Sequence, residues 1–226
     1  MEGRLRPEFP IDTDNPIYES SREEWHTDVA ARLKAYVGPF DIGLSYFYGT
    51  SRDPLFTPAF KDGEVVLRPT YNLIHQGGVD VQYTTGPWLW KFEGIARSGR
   101  GQHFQAATGG FEYTFYGIFQ SSWDVGVIGE YHYDSRGKDS PDPFNDDVFA
   151  GMRITPNDEH DTALLFGTVA DTNNGTTSFR FEFERRLGNN YKLVIEGQSF
   201  SNADAVDPTY SFRNDSFVLI EFRRYF

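Results

Sequence analysis

The sequence has no cysteine and only 2 methionines among its 226 residues. Without a thiol there is no disulfide framework, no cysteine-ligated zinc or iron–sulfur centre and no thiol nucleophile. Basic residues are also few: 21 Lys+Arg stand against 33 Asp+Glu, for a formal net charge of -12. The broad basic field that replaces phosphate counterions is therefore missing, and nucleic acid is not an expected partner. No stretch approaches the ~20 apolar residues of a membrane helix. The first ten residues include Glu2, Arg4, Arg6 and Glu8 and lack the apolar core of a secretory signal. Helical periodicity is nearly absent, and nothing in the middle of the chain reads as a linker. The expected organisation is an irregular N-terminal segment, 1–26, followed by one domain, 27–226.

Aromatic residues, by contrast, are abundant. The chain has 21 Phe, 13 Tyr and 4 Trp, or 17% of its residues, yet its mean hydropathy is -0.53. A disordered chain would be poor in aromatics, so an apolar surface must be hidden inside a polar average.

Period-2 alternation hides it. Val29, Ala31, Leu33, Ala35 and Val37 alternate with charged Arg32 and Lys34, and a Gly38-Pro39 turn follows. Beyond the turn, Phe40, Ile42, Leu44, Tyr46 and Tyr48 alternate with Asp41, Gly43 and Ser45. The same pattern recurs around Val79–Tyr83, Trp88–Phe92, Phe111–Phe115, Trp123–Tyr133, Phe179–Phe183 and Tyr191–Ile195. Segments 147–155 and 161–171 alternate less sharply, and Leu164-Leu165-Phe166 leaves the apolar face of the second undefined. A last strand runs from 216 to the end. This makes about eleven strands, each near the ~9–11 residues that cross a bilayer at a tilt. Connectors at 38–39, 85–87 and 187–190 are tight, whereas 50–75, 135–146 and 201–213 read as long polar loops, with 64–74 inside the first of these.

A soluble β-sandwich turns such an apolar face inward, and a membrane barrel turns it to lipid. Aromatics cluster near the turns, at Phe40, Tyr83, Trp88, Trp90, Tyr116, Trp123, Tyr131, Tyr133 and Tyr191, as the headgroup layer of a membrane requires. The chain closes on Phe-Val-Leu-Ile-Glu-Phe-Arg-Arg-Tyr-Phe, with Val218, Ile220, Phe222 and Phe226 at or near alternate positions. This ending resembles the final strand of Gram-negative outer-membrane β-barrel proteins, whose terminal aromatic and alternating apolar residues are read by the barrel-assembly machinery. Arg224 departs from that pattern, and a place at the interface with a snorkelling stem would accommodate it. The hairpin from Asp80 to Glu93 and the Gly110-Phe111-Glu112-Tyr113 run also look like porin-type hairpins.

The resemblance implies an all-β, antiparallel, up-and-down transmembrane β-barrel with about 11–12 strands in this chain. Short turns would face the periplasm and longer loops the exterior. It implies a porin-like channel for small solutes in the outer membrane of a Gram-negative bacterium, in contact with the lipid bilayer, lipopolysaccharide and the assembly machinery. An odd strand count conflicts with even closure. Counting back from Phe226 puts Asp28 at the outer rim, so the chain is expected to be the C-terminal part of a longer precursor. A twelfth strand near 64–74 or 1–10 is the alternative.

The polar face carries the chemistry. Lys91, Glu93, Arg97, Glu112, Glu130, His132, Asp134, Arg153, Arg180, Glu182, Glu184 and Arg186 are expected to line the lumen, with charges of both signs. Glu130, His132 and Asp134 fall on one strand face, but neighbours there are about 6.5–7 Å apart, too far for a direct hydrogen bond. No Gly-x-Ser-x-Gly elbow accompanies them. The acidic stretch Asp134–Asp147 matches no calcium loop and reads as a solvated connector. His75, His103 and His160 lack metal-ligand spacing. The expectation is a non-enzyme without cofactor or metal. A soluble all-β binding module and a barrel hydrolase using His132 are the alternatives.

Overall fold

The computed structural model describes residues 9–205 and 207–226. In chain order the strands are β1 (Ile17–Tyr18), β2 (Val29–Val37), β3 (Phe40–Thr50), β4 (Leu55–Lys61), β5 (Glu64–Tyr71), β6 (Leu73–Thr85) and β7 (Trp88–Gly99). They continue with β8 (Phe104–Phe115), β9 (Asp124–Asp134), β10 (Asp146–Thr155), β11 (Ala163–Asp171), β12 (Thr177–Leu187), β13 (Tyr191–Ser201) and β14 (Phe217–Arg224). Eleven of them form one antiparallel sheet in the order β14-β13-β12-β11-β10-β9-β8-β7-β6-β3-β2. The chain thus meanders up and down, each strand beside its predecessor, with a single interruption between β3 and β6.

That interruption corrects the sequence reading. Residues 50–75 are not one long loop: β4 and β5 form a hairpin, β1 adds to β5 in parallel, and the three make a separate small sheet. Strand β6 begins at Leu73 and pairs with β3 from Thr50 onward. The segment 64–74 is therefore mostly strand, yet it adds none to the large sheet, which keeps eleven. The N-terminal segment is irregular except for β1, a bridge from Ile11 to Leu67 and a short 3-10 turn at Glu23–Trp25. Its residues 1–8, including part of the alternative twelfth strand, lie outside the described residues.

All five connectors at one rim, 38–39, 86–87, 116–123, 156–162 and 188–190, are compact. Gly38, Gly86 and Gly188 hold positive φ there, at 56°, 52° and 66°, a region that costs glycine little. The opposite rim carries 51–72, 135–145 and 202–216, but also the short connectors 100–103 and 172–176. Turn rim and loop rim therefore differ as a tendency, not in every connector.

The sheet does not close into the expected barrel. Among the described residues β2 and β14 are its two edges and are not paired with each other. Both run from the loop rim to the turn rim, as the end strands of any up-and-down sheet with an odd count must.

The register settles the faces. Residues directly paired share a face, so Leu165, opposite both Arg153 and Glu182, is on the polar side. Leu164 and Phe166, opposite Phe183 and Phe181, are on the apolar side. The apolar face runs unbroken across eleven strands, from Leu33 on β2 through Leu44, Val79, Phe92, Gly109, Tyr131 and Val148 to Phe179 on β12 and Ile220 on β14. Large side chains on it stand exposed: Leu33 at 65%, Leu44 at 50%, Trp90 at 46% and Phe222 at 58%. Only five apolar residues are buried, Val66, Ile74, Phe104, Ile128 and Val194, against twelve polar or charged ones among the described residues. Here the usual distribution of polarity is inverted.

Candidate functional site

The residues singled out from the sequence share the face opposite the exposed apolar one. Strand β7 brings Lys91, Glu93 and Arg97, which pair with Gly110, Thr108 and Phe104 on β8. Strand β8 adds Glu112, opposite Ile128, while Gly110 and Thr108 stand opposite Glu130 and His132 of β9. Asp134 ends β9 on the same side, opposite Ala106. Arg153 of β10 faces Leu165, which faces Glu182 of β12, and Arg180, Glu184 and Arg186 alternate with it along that strand.

Three carboxylates lie flat across glycines of the neighbouring strand. A Cβ built on Gly43 would meet the Asp80 carboxylate at 2.3 Å, one on Gly126 would meet Glu112 Oε1 at 2.7 Å, and one on Gly110 would meet Glu130 Cγ at 2.6 Å. The glycines of the polar face thus make room for acidic side chains to lie down and reach partners.

Several predicted residues meet one another. Arg180 Nη2 holds Glu182 at 2.7 Å and Glu196 at 3.9 Å, and Arg153 Nη2 is 3.6 Å from Glu112. His132 Nε2 stands 3.9 Å from Glu130, closer than ideal strand spacing suggested but beyond hydrogen-bond length, and its Nδ1 meets the Thr108 hydroxyl at 3.0 Å. Asp134 is not joined to His132; Arg136 grips it and Ser140 donates to it at 3.2 Å. Arg97 turns to Gln76 at 2.7 Å and Asp53 at 3.2 Å. Lys91 and Glu93 make no ion pair among the described residues.

The register adds residues that were not singled out. Arg32 on β2 binds Asp80 on β6 at 2.6 Å, reaching across β3. Lys192 and Glu196 on β13 and Glu221 and Arg223 on β14 share the face through the pairs Arg186–Lys192–Arg223 and Glu184–Val194–Glu221. Their signal was the same alternation.

The loop-rim acids correct another expectation. The stretch Asp134–Asp147 is solvated only in part: Asp139 and Asp142 are exposed, but Asp134, Ser140, Asn145 and Asp147 are buried. The Asn145 amide donates to Asp147 at 2.8 Å. Nearby, Asn174 Nδ2 donates to both Asp171 and Asp207 at 3.0 Å, tying two connectors together. Burial would raise the Asp207 carboxyl, but donors from Thr209 and Asn174 outweigh it and hold the group below the ordinary carboxylate range. At the turn rim, the Thr162 amide and hydroxyl and the Arg185 guanidinium hold Asp158 low as well. Among the described residues no group of three or more His, Asp or Glu is arranged to hold a metal ion.

Comparison with protein-family models, curated proteins and solved structures found no match to this chain.

Proposed function

We propose that the eleven-stranded sheet is a wall of an outer-membrane β-barrel that carries small solutes past its polar face, as a porin-like channel. One observation bears most of this reading: the apolar face is continuous over eleven strands and is not covered by protein. Soluble monomers rarely expose apolar patches above a few hundred Å², whereas hydrocarbon is the solvent such a face requires. Apart from β14 with 8 residues, the strands of the sheet have 9 to 13, in the range of the ~9–11 residues that cross a bilayer at a tilt. Val218, Ile220 and Phe222 face the lipid side in this reading. The soluble-module alternative takes the apolar face as a core, and the exposure of Leu33, Trp90 and Phe222 argues against it.

Closure follows from strand direction. Joining β2 directly to β14 would make a parallel pair, whereas one further strand running from turn rim to loop rim would pair antiparallel with both. A second copy in the same membrane orientation offers only edges of the same direction as β2 and β14, so it does not supply that strand. The deciding experiment is reconstitution of the full-length polypeptide in planar bilayers. Stepwise ohmic conductance is expected, and a folded, membrane-inserted protein that passes no current would reject the channel.

A further inference from the structure

At the turn rim the polar face breaks a rule of sheet pairing. Arg186 on β12 stands directly opposite Lys192 on β13, which stands directly opposite Arg223 on β14. Like charges in direct cross-strand register repel. The sheet contains acidic pairs of the same kind at Asp80–Glu93, Asp147–Asp171 and Glu182–Glu196, and in the last of these the repulsion is relieved by a bridge. Glu182 and Glu196 are opposite each other, and Arg180 reaches both, at 2.7 Å and 3.9 Å. No carboxylate among the described residues does this for the basic rung. Arg186 holds Asp161 at 2.7 Å, Lys192 holds Glu184 at 2.7 Å and Arg223 holds Glu221 at 2.6 Å, each cation with its own acid and none shared.

Donors remain in excess. An arginine has five N–H groups and a lysine three, and one nitrogen of each side chain is taken by its acid. The three side chains are also accessible, at 62%, 25% and 43% exposure. Arg186 and Lys192 line a hollow of about 540 Å³ with Asn189, Tyr225 and the two acids that they hold, Asp161 and Glu184. Arg223 and Arg153 line an adjoining hollow of about 340 Å³ together with Glu182, Glu184 and Glu196.

We propose that this rung is a binding site for a small polyanionic solute bearing a phosphate group, which bridges the cations as Arg180 bridges Glu182 and Glu196. Two guanidinium forks flanking an ammonium suit a tetrahedral dianion, which offers acceptors on several sides at once. The site deepens the channel reading, since it places a solute contact on the polar face at the turn rim.

Inorganic phosphate is the probe, and the whole protein in non-ionic detergent is the sample. Phosphate is titrated against chloride at matched ionic strength, and the thermal unfolding midpoint is followed. A ligand that binds only the folded state raises the midpoint in a saturable way. Wild type is expected to show that rise, and Lys192→Arg to keep it. Lys192→Gln should need at least tenfold more phosphate for the same rise, while its midpoint in chloride stays equal to or above wild type because the like-charge contact is relieved. Equal midpoints in phosphate and chloride for the wild type, or an undiminished phosphate response in Lys192→Gln, would overturn the site. Conductance is measured separately, so a conducting protein without a phosphate response removes this site alone, and a phosphate response without conductance removes the channel reading.

Discussion

Single residues on this sheet are chosen for the space they leave. Gly110 is the clearest case, because a Cβ there would meet the Gly129 carbonyl at 2.5 Å and Glu130 Cα at 3.0 Å. Backbone of the paired strand cannot step aside as a side chain can. Gly110→Ala is therefore expected to destabilise the folded state by about 1–3 kcal/mol, the usual cost of overpacking, read from urea unfolding in detergent. A variant as stable as wild type would show that β8 and β9 can part locally. On the opposite face Gly197 leaves room for a ring instead: its Cβ would meet Phe181 at 2.2 Å, and the two residues are direct cross-strand partners. An aromatic lying over a glycine gains cover for its ring and shields the bare backbone. Aromatic abundance and glycine abundance in this sequence are thus partly one feature.

Among elements, the small rim sheet depends on one electrostatic tie. Asp12 is buried and accepts from Lys61 Nζ at 2.8 Å and from Asn15 at 3.0 Å, with Arg68 Nε at 3.6 Å. The Lys61 hydrogen bond is the main reason the Asp12 carboxyl is held below 3.8, and the same bond holds the Lys61 amine above 10.5. A depressed carboxyl stabilises fully above its unfolded value and loses that contribution as pH falls through the folded one. The raised amine does the converse, stabilising below 10.5 and losing its contribution as pH rises through its folded value. Hydrogen-exchange protection of the Leu67 amide, which donates to Pro10 at 2.8 Å, should therefore be level from pH 5 to 9 and fall below about pH 3.8. Lys61→Met should lower it throughout. Protection unchanged down to pH 2.5 would mean that backbone pairing alone holds the rim sheet.

For the molecule as a whole, shape turns on the seam between β2 and β14. The chain has no cysteine, so introduced pairs report without background. Paired strands bring opposite Cα atoms within ~4.5–5.5 Å, inside disulfide reach, whereas an intervening strand separates them by roughly 9.5–10 Å. Cysteines at Leu33 or Ala35, combined with cysteines at Val218, Ile220 or Phe222, are expected to form no disulfide in cells making the whole polypeptide. A bis-maleimide of about 10 Å, the span of two strand spacings, should join them. A disulfide at any pair would demonstrate direct parallel closure and refute the intervening strand; failure of both reagents would mean the edges stay apart.

Except at Leu164–Phe166, where register was needed, the sequence by itself determined which residues of a strand share a face, because strand side chains alternate with a period of two whatever the strand's neighbours are. The twelve charged positions from Lys91 to Arg186 needed nothing more to be grouped. It also gave the eleven strands of the large sheet. Only the tertiary structure decided what lies across from what. The separate β4–β5 hairpin was missed because alternation does not show which sheet a strand joins, and these two pair with each other and with β1 rather than with the large sheet. Asp139 and Asp142 are exposed as read, but Asp134 and Asp147 are buried, because charge density shows net polarity while burial depends on Arg136, Ser140 and backbone donors folding over them. The basic rung escaped the sequence for the same reason: Arg186, Lys192 and Arg223 become neighbours only once β12, β13 and β14 are in register.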